Sequence, residues 1–172
     1  HVSMVLSAVK DGLRAERCTL EDLTFDHALV LQEGEARIGQ LILTPEGPAA
    51  YSFELFSSEL DDEEPNWTRL ARGRVKLETA VDAEAEKQES IAEIKARQTQ
   101  EISGADYYKD LWESGYHLGN EFRWIEKIYR RDGEAICEMR LGTATDALGQ
   151  YELHPGLIDS CFQTLGVSLT HA

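Results

Sequence analysis

The chain has 172 residues, which is enough for one domain or for two small subdomains that share a core. Its composition, 42% hydrophobic and 28% charged, is typical of a globular protein and excludes a largely disordered one. The formal net charge of -15 argues against a nucleic-acid partner and against anionic membrane surfaces, because both would repel the chain.

The sequence carries no sign of secretion, of a membrane span or of a metal site. No apolar run approaches the roughly 20 residues of a transmembrane helix, and no basic segment followed by an apolar one opens the chain. Cys18, Cys137 and Cys161 are odd in number and distant in sequence, which fits neither a disulfide framework nor a zinc site. We therefore expect no metal and a cytoplasmic location, where thiols stay reduced.

The first half of the chain is predicted to form one helix followed by several strands. Apolar residues at helical spacing over 2–13 predict an amphipathic helix that ends near Gly12. Alternating patterns then predict strands; these cover 18–25, 28–31, 36–44, 50–57 and 67–77. Tyr51, Phe53 and Leu55 should share one face of the fourth strand. The segment 59–65 is predicted to be a solvated acidic loop, and 33–35 and 45–48 to be turns.

The composition changes near residue 78, and residues 81–104 are predicted to form a partly helical linker rich in Glu, Ala, Lys and Gln. A short helix (105–114), a glycine-marked loop (115–122) and two strands (124–130 and 134–141) follow. A loop over 144–150 then precedes a final helix. Segregated antiparallel strands with one long helix in each half predict an α+β fold.

The final helix carries the main candidate site. Asp159 and Gln163 stand at i and i+4, so they share a helix face. The rest of the surface is apolar, which predicts a helix buried all round. Burial disfavours an ionised carboxylate, whereas the positive end of a helix favours it. Asp159 is therefore either an acid able to give up a proton near neutral pH or a simple partner of the helix dipole.

Other candidate residues also allow two interpretations. His154, held extended by Pro155, is either a base or ligand, or a structural turn residue. Gly115 and Gly119 let the loop pass close either to a ligand or to other backbone. Tyr116 either donates a hydrogen bond to an oxygen there or packs as a core aromatic residue.

Taken together, these residues resemble the dehydratase domain of modular type I polyketide synthases. The family's HPxLxD motif, followed four residues later by Gln or His, is matched by residues 154–159 and Gln163. Its GYxxGxxF loop is matched by 115–122, and 20–31 look like the family's early strands. The resemblance implies a double hotdog fold, incomplete in this chain, in which two antiparallel sheets each wrap around a long helix. The halves would be 1–80 and 105–172, with the linker 81–104 between them.

The resemblance also implies a reaction. In the family a histidine removes the α-proton of a β-hydroxyacyl thioester, and an aspartic acid protonates the departing hydroxyl to leave an α,β-unsaturated product. Asp159 matches that acid, and Gln163 matches the residue that helps to hold the acid and the hydroxyl. The positions that would bind substrate are Tyr116, Gly119, His154, Pro155 and Leu157. No metal or organic cofactor is implied, because the phosphopantetheine arm of an acyl carrier protein carries the substrate.

The implied partners are that carrier protein, neighbouring polyketide synthase domains and a second copy of the parent protein in a homodimer. The family's HxxxGxxxxP motif has no match here, since Val5 stands where its glycine would be if His1 were its histidine. The chain is therefore expected to be a piece truncated at both ends that itself lacks the catalytic histidine. Either the piece begins after that histidine, or the parent protein lacks it. Leu118 and Asn120 replace a Tyr and a Pro common in the family's loop, which predicts altered substrate handling.

Three functions are compatible with the resemblance. The first is an active dehydratase, a lyase, of which this chain is a part. The second is a non-catalytic, dehydratase-like scaffold that supports dimerisation or docking. The third is a related variant that isomerises a double bond or cyclises the product. Because Asp159 and Gln163 are retained, the sequence favours the dehydratase over the scaffold.

Overall fold

A computed structural model describes residues 1–60, 66–78, 89–141 and 149–169. The chain divides into two compact units, His1–Glu84 and Ala85–Ala172. Each unit contains an antiparallel sheet and a helix of three turns or more, as the α+β prediction requires. Within the described ranges, no helix is both long and apolar enough to cross a membrane.

The described residues of the first unit form one helix and four strands: α1 (Val2–Leu13), β1 (Cys18–Phe25), β2 (Arg37–Gly47), β3 (Ala50–Glu59) and β4 (Thr68–Leu77). The strands are antiparallel and lie in the order β1-β4-β3-β2. Helix α1 ends at Leu13, one residue after the predicted Gly12. Arg14, the C-cap, has a left-handed backbone (φ 55), which ends the helix. Strand β2 runs on through Pro45, so the predicted turn at 45–48 lies slightly later in the chain.

The core of the first unit forms between α1 and the sheet. Val5 and Val9 from one face of the helix are almost fully buried against Phe53 and Leu55 of β3. The predicted shared face of β3 is confirmed, because Tyr51 packs against the same cluster. The apolar period of α1 and the alternation of β3 therefore meet in one core.

The predicted strand over 28–31 is wrong. Strand β1 ends at Phe25, and the amides of Asp26 and His27 both donate to the Leu70 carbonyl at 2.9 and 3.3 Å, which turns the chain away from the sheet. The apolar side chains at 29–31 do not pair in a ladder. Leu29 and Leu31 instead line a cavity of about 200 Å³ in this unit.

Where the structure describes it, the second unit has three strands and three α-helices: α2 (Ile91–Ala96), β5 (Gln100–Ser103), α3 (Gly104–Glu113), β6 (Ile125–Arg131), β7 (Glu134–Met139) and α4 (Pro155–Leu169). The strands are antiparallel in the order β5-β6-β7. A single 3-10 turn, Asn120–Phe122, lies in the glycine-marked loop. Ile125, Ile128 and Val167 form the buried centre, which joins β6 to α4.

The predicted linker differs from the structure where the structure describes it. Residues 81–88 lie outside the described ranges, as do 61–65 of the acidic loop and 142–148 before α4. Helix α2 opens with a capping box between Ser90 and Glu93, and β5 pairs with β6. The second sheet therefore begins before residue 105. With four residues and one partly buried apolar side chain, Ile102, β5 is too short to show an alternating pattern.

Helix α4 is not buried all round as predicted. Its buried residues are Gly156, Ser160, Val167 and Ser168, while Phe162 and Leu165 are 44% and 55% exposed. The physical reason is the size of the described sheet. Strands β6 and β7 pack on one side of the helix, and three strands do not reach around to the other side.

An ion-pair cluster joins the end of α2 to the β6–β7 hairpin. The carboxylate of Glu134 accepts hydrogen bonds from the Arg97 guanidinium, from the Gln98 side chain at 2.8 Å and from Arg131 Nε at 2.8 Å. The bonds from Arg97 first, then those from Gln98 and Arg131, lower the pKa of Glu134 to about 2.

This cluster predicts a loss of stability in acid. The pKa of Glu134 is about 2 in the folded protein and about 4.3 in the unfolded chain. The ionised carboxylate therefore stabilises the fold fully at pH values above about 4.3. The contribution disappears as the pH falls towards 2. We expect Glu134→Gln to be less stable than wild type in urea unfolding at neutral pH, and the difference to shrink as the pH drops below about 4. A difference that is the same at all pH values would contradict this.

Candidate active site

Asp159 and Gln163 are in direct contact on α4. The side-chain amide nitrogen of Gln163 donates to Asp159 Oδ2 at 2.6 Å, so the predicted shared face is confirmed. The same nitrogen donates to the backbone carbonyl of Phe122 at 3.0 Å. One amide group therefore bridges a half-buried carboxyl group and the glycine-marked loop.

His154 and Pro155 form the start of α4. The His154 carbonyl accepts from the amides of Leu157 and Ile158 at 3.0 and 3.2 Å, and its Nδ1 accepts from the amide of Gly156 at 3.0 Å. Pro155, which has no amide hydrogen, occupies the first helical position, where none is needed. These contacts favour the structural interpretation of His154. Substrate binding by His154, Pro155 and Leu157 stays a prediction.

The C-terminal end of the glycine-marked loop contacts Gln163 of the Asp159–Gln163 pair. The Phe122 carbonyl makes the contact. Tyr116, which the sequence offered either as a donor or as a core aromatic residue, is 67% exposed, so it is not a core residue. Its role in substrate binding stays a prediction.

The two loop glycines, Gly115 and Gly119, have different backbone conformations. Gly115 has φ +90, a conformation that side chains other than glycine rarely adopt. Gly119 has φ -70 and ψ 165, and the nearest atom to an added Cβ would be Glu121 Oε2 at 3.6 Å. The turn therefore requires glycine at 115 and tolerates a side chain at 119.

This contrast predicts different costs for the same substitution. Gly115→Ala should lower the free energy of unfolding by about 1 kcal/mol, because alanine is strained at positive φ. Gly119→Ala should change it by less than about 0.5 kcal/mol. Urea unfolding of the two variants measures both effects. If both variants lost the same free energy of unfolding, the turn would also require glycine at 119. That result would count against the prediction that Gly119 binds substrate.

Two tyrosines of α3, which were not singled out in the sequence, interact electrostatically with Asp159. Burial first, and then electrostatic interaction with Tyr108 and Asp159, raises the pKa of Tyr107 to about 12. Burial also raises the pKa of Tyr108, whose hydroxyl accepts from the Ile125 amide at 3.0 Å. Both phenols are therefore neutral O–H groups at physiological pH within the electrostatic reach of Asp159. The sequence predicts that both tyrosines lie in the helix 105–114. Their burial against the core of the second unit depends on tertiary packing, which the sequence does not show.

Three buried polar side-chain atoms in and beside α4 have no hydrogen-bond partner among the described residues: the Gln163 oxygen, the Ser160 hydroxyl oxygen and the Trp124 indole nitrogen. Trp124 lies parallel to the His154 ring, with 4.9 Å between the ring centres. Unpaired buried polar atoms are uncommon in folded proteins, and they are typical of places that take up water or a ligand.

Comparisons with known proteins identify the family of the chain. A family model described as "Polyketide synthase dehydratase N-terminal domain" matches residues 86–172, and one described as "Polyketide synthase dehydratase domain" matches 1–58. The chain is 28% identical over 149 residues to polyketide synthase GfsE of Streptomyces halstedii, covering 85% of this chain and 4% of that protein.

Solved structures give the same family. The dehydratase domain from the CurJ module of curacin polyketide synthase is 33% identical and aligns with 100% of this chain and 57% of that domain at a TM-score of 0.84. The corresponding domain from the CurF module is 25% identical, with 99% and 60% coverage and a TM-score of 0.86.

The chain thus spans a few per cent of its curated relative and less than two thirds of the solved domains. The solved neighbours are double hotdog domains, so the predicted α+β double hotdog fold is confirmed. A dehydratase family model covers half of the sequence, and a second one covers most of the first unit. The chain belongs to the family of dehydratase domains of modular polyketide synthases.

Proposed function

We propose that the chain forms part of a dehydratase domain, a lyase that eliminates water from a β-hydroxyacyl thioester and leaves an α,β-unsaturated acyl chain. The observation that carries this proposal is the hydrogen-bonded pair of Asp159 and Gln163 in a fold shared with polyketide synthase dehydratases. Below, "intact domain" means a dehydratase domain that contains this chain and has the length of those solved relatives.

Asp159 is the proposed general acid. Because Oδ2 accepts the Gln163 bond, a proton on the carboxyl group resides on Oδ1. As a base removes the α-proton, the electrons of that C–H bond form the carbon–carbon double bond and the β-carbon–oxygen bond breaks. The departing hydroxyl takes the proton from Asp159 and leaves as water. Such a step needs an acid and a base in opposite protonation states around one substrate.

The base in this proposal is a histidine outside the 172 residues. Three of the described histidines have structural contacts of their own. The His154 Nδ1 caps α4, the His117 ring stacks on Trp112 at 3.9 Å, and the His27 Nδ1 lies 2.9 Å from the Arg69 carbonyl oxygen. His1 lines the cavity of the first unit beside Met4.

The proposed substrate is delivered by an acyl carrier protein on its phosphopantetheine arm, within a dimeric synthase that contains further domains. The support is that the similar proteins are polyketide synthases. Elimination beside a thioester carbonyl needs an acid, a base and polarising donors. We therefore propose that the domain uses no metal or organic cofactor.

The proposal is tested by assaying the intact domain and the 172-residue chain in parallel on a β-hydroxyacyl carrier protein. We expect the intact domain to eliminate water and the chain alone to be slower by about 10²–10⁴-fold, because it lacks the base. Treatment with a chelator should leave the intact domain unchanged. Full activity of the chain alone would place the base within it, and activity lost to a chelator and restored by a divalent ion would contradict the cofactor-free reaction.

A further inference from the structure

We propose that Gly156 is a positioning residue for the acid. Its lack of a side chain lets the loop backbone at Glu121 and Phe122 rest directly against the first turn of α4. The Phe122 carbonyl, once in place, holds Gln163 against Asp159. The assignment rests on the proposed function only in giving Asp159 the role of acid.

The space around Gly156 is closed on two sides. A Cβ at this position would overlap the backbone oxygen of Glu121 and would lie 3.0 Å from Cε2 of the Trp124 ring. The first neighbour is backbone, so it cannot rotate away as a side chain would. The second is a buried ring stacked on His154, with little freedom to move. In this chain, the absence of a side chain at 156 therefore permits the close approach of two backbone segments.

The proposal requires that a side chain at 156 displaces the loop and leaves the start of α4 in place. The amide of Gly156 donates to Nδ1 of His154 at 3.0 Å, which ties residue 156 to the residue before the helix. The loop, by contrast, is a 3-10 turn closed by two backbone bonds, from Phe122 to Gly119 at 3.0 Å and from Arg123 to Asn120 at 3.2 Å. A short closed turn moves as a body, so a shift at Glu121 carries the Phe122 carbonyl with it.

The Phe122 carbonyl controls the acid through Gln163. The Gln163 amide has two hydrogens, and its nitrogen contacts two acceptors: the Phe122 oxygen at 3.0 Å and Asp159 Oδ2 at 2.6 Å. Withdrawal of the loop frees the amide to rotate, and the carboxyl group then loses its fixed direction. Since small misplacements of a reacting group are costly, we expect Gly156→Ala to lower kcat of the intact domain by about 10–100-fold.

The first test uses the 172-residue chain and needs no activity. Solvent exchange of the Gln163 side-chain amide, followed by nitrogen-15 NMR, should be at least about 10-fold faster in Gly156→Ala than in wild type. Gly166→Ala is the matched control, because it lies on the same helix and an added Cβ meets no atom within 4 Å. A folded Gly156→Ala protein with wild-type exchange at Gln163 would overturn the proposal.

If Gly156→Ala does not fold, native-state hydrogen exchange of the unmutated chain decides. The loop amides of Phe122 and Arg123 should then exchange through the same opening as the Gln163 side-chain amide, with matching rates in the regime where opening limits exchange. Exchange at Gln163 that is many-fold faster than at both loop amides would show that the loop does not hold it, and would overturn the proposal.

The second test is a double-mutant cycle in the intact domain. If Gly156 acts through Gln163, Gly156→Ala should lower kcat in the wild-type background and have little further effect in Gln163→Ala. Additive losses would assign Gly156 a merely structural role. An intact wild-type domain without dehydratase activity would refute the proposed function, while the exchange measurement on the chain would still decide the positioning role.

Discussion

Replacing Asp159 by asparagine is expected to lower the dehydration rate of the intact domain by about 10²–10⁴-fold, the usual contribution of a general acid. Asparagine has nearly the same shape, and its side-chain oxygen can still accept the hydrogen bond from Gln163 that the carboxyl group accepts at 2.6 Å. What it lacks is a proton that it can transfer to the departing hydroxyl. The loss should therefore appear in kcat, with the melting temperature close to that of wild type.

A matched control is Asp110→Asn, which neutralises an exposed carboxylate on α3 of the same unit. It removes the same charge from the protein and should keep wild-type turnover. Rapid elimination of water by Asp159→Asn would exclude Asp159 as the acid. An equal loss of activity in both variants would point to net charge as the cause.

The largest expected loss of stability comes from Gly104→Ala. Gly104 is buried where β5 passes directly into α3, and an added Cβ would overlap the backbone oxygen of Ile125 and lie 2.9 Å from its carbonyl carbon. The methyl group would force α3 and β6 apart at the core of the second unit. By the usual cost of overpacking, we expect the free energy of unfolding to fall by about 3 kcal/mol.

Gly166→Ala is again the comparison, because it adds the same methyl group in an exposed part of α4 with no atom within 4 Å. Alanine is a better helix former than glycine, so this variant should be more stable than wild type by about 0.5–1 kcal/mol. Urea unfolding of both proteins measures the two effects. A Gly104→Ala protein as stable as wild type would mean that the junction between β5 and α3 can open without cost.

The features that the sequence predicted are those with a local cause. The apolar period of α1, the alternation of β3 and the i, i+4 spacing of Asp159 and Gln163 are properties of a single element, and each is present in the structure. Such patterns constrain an element whatever it packs against.

The features that the sequence did not predict depend on contacts between elements. The apolar run 28–31 was predicted to be a strand. The amides of Asp26 and His27 instead both donate to the Leu70 carbonyl, so the chain turns there and 28–31 do not join the sheet. Strand β5 exists because β6 lies beside it. The electrostatic interaction of Tyr107 with Asp159, and the close approach of the loop to Gly156, arise only when the elements of the second unit fold together. A single sequence gives no local signal for these contacts.

The most direct test of the central claim is the identity of the product formed on the carrier protein by the intact domain. A β-hydroxyacyl carrier protein would be incubated with the enzyme, and the acyl chain analysed by mass spectrometry and NMR. The account predicts a product lighter by one water molecule, with a double bond between the α- and β-carbons. A product of unchanged mass, whether untouched, isomerised or cyclised, would contradict it.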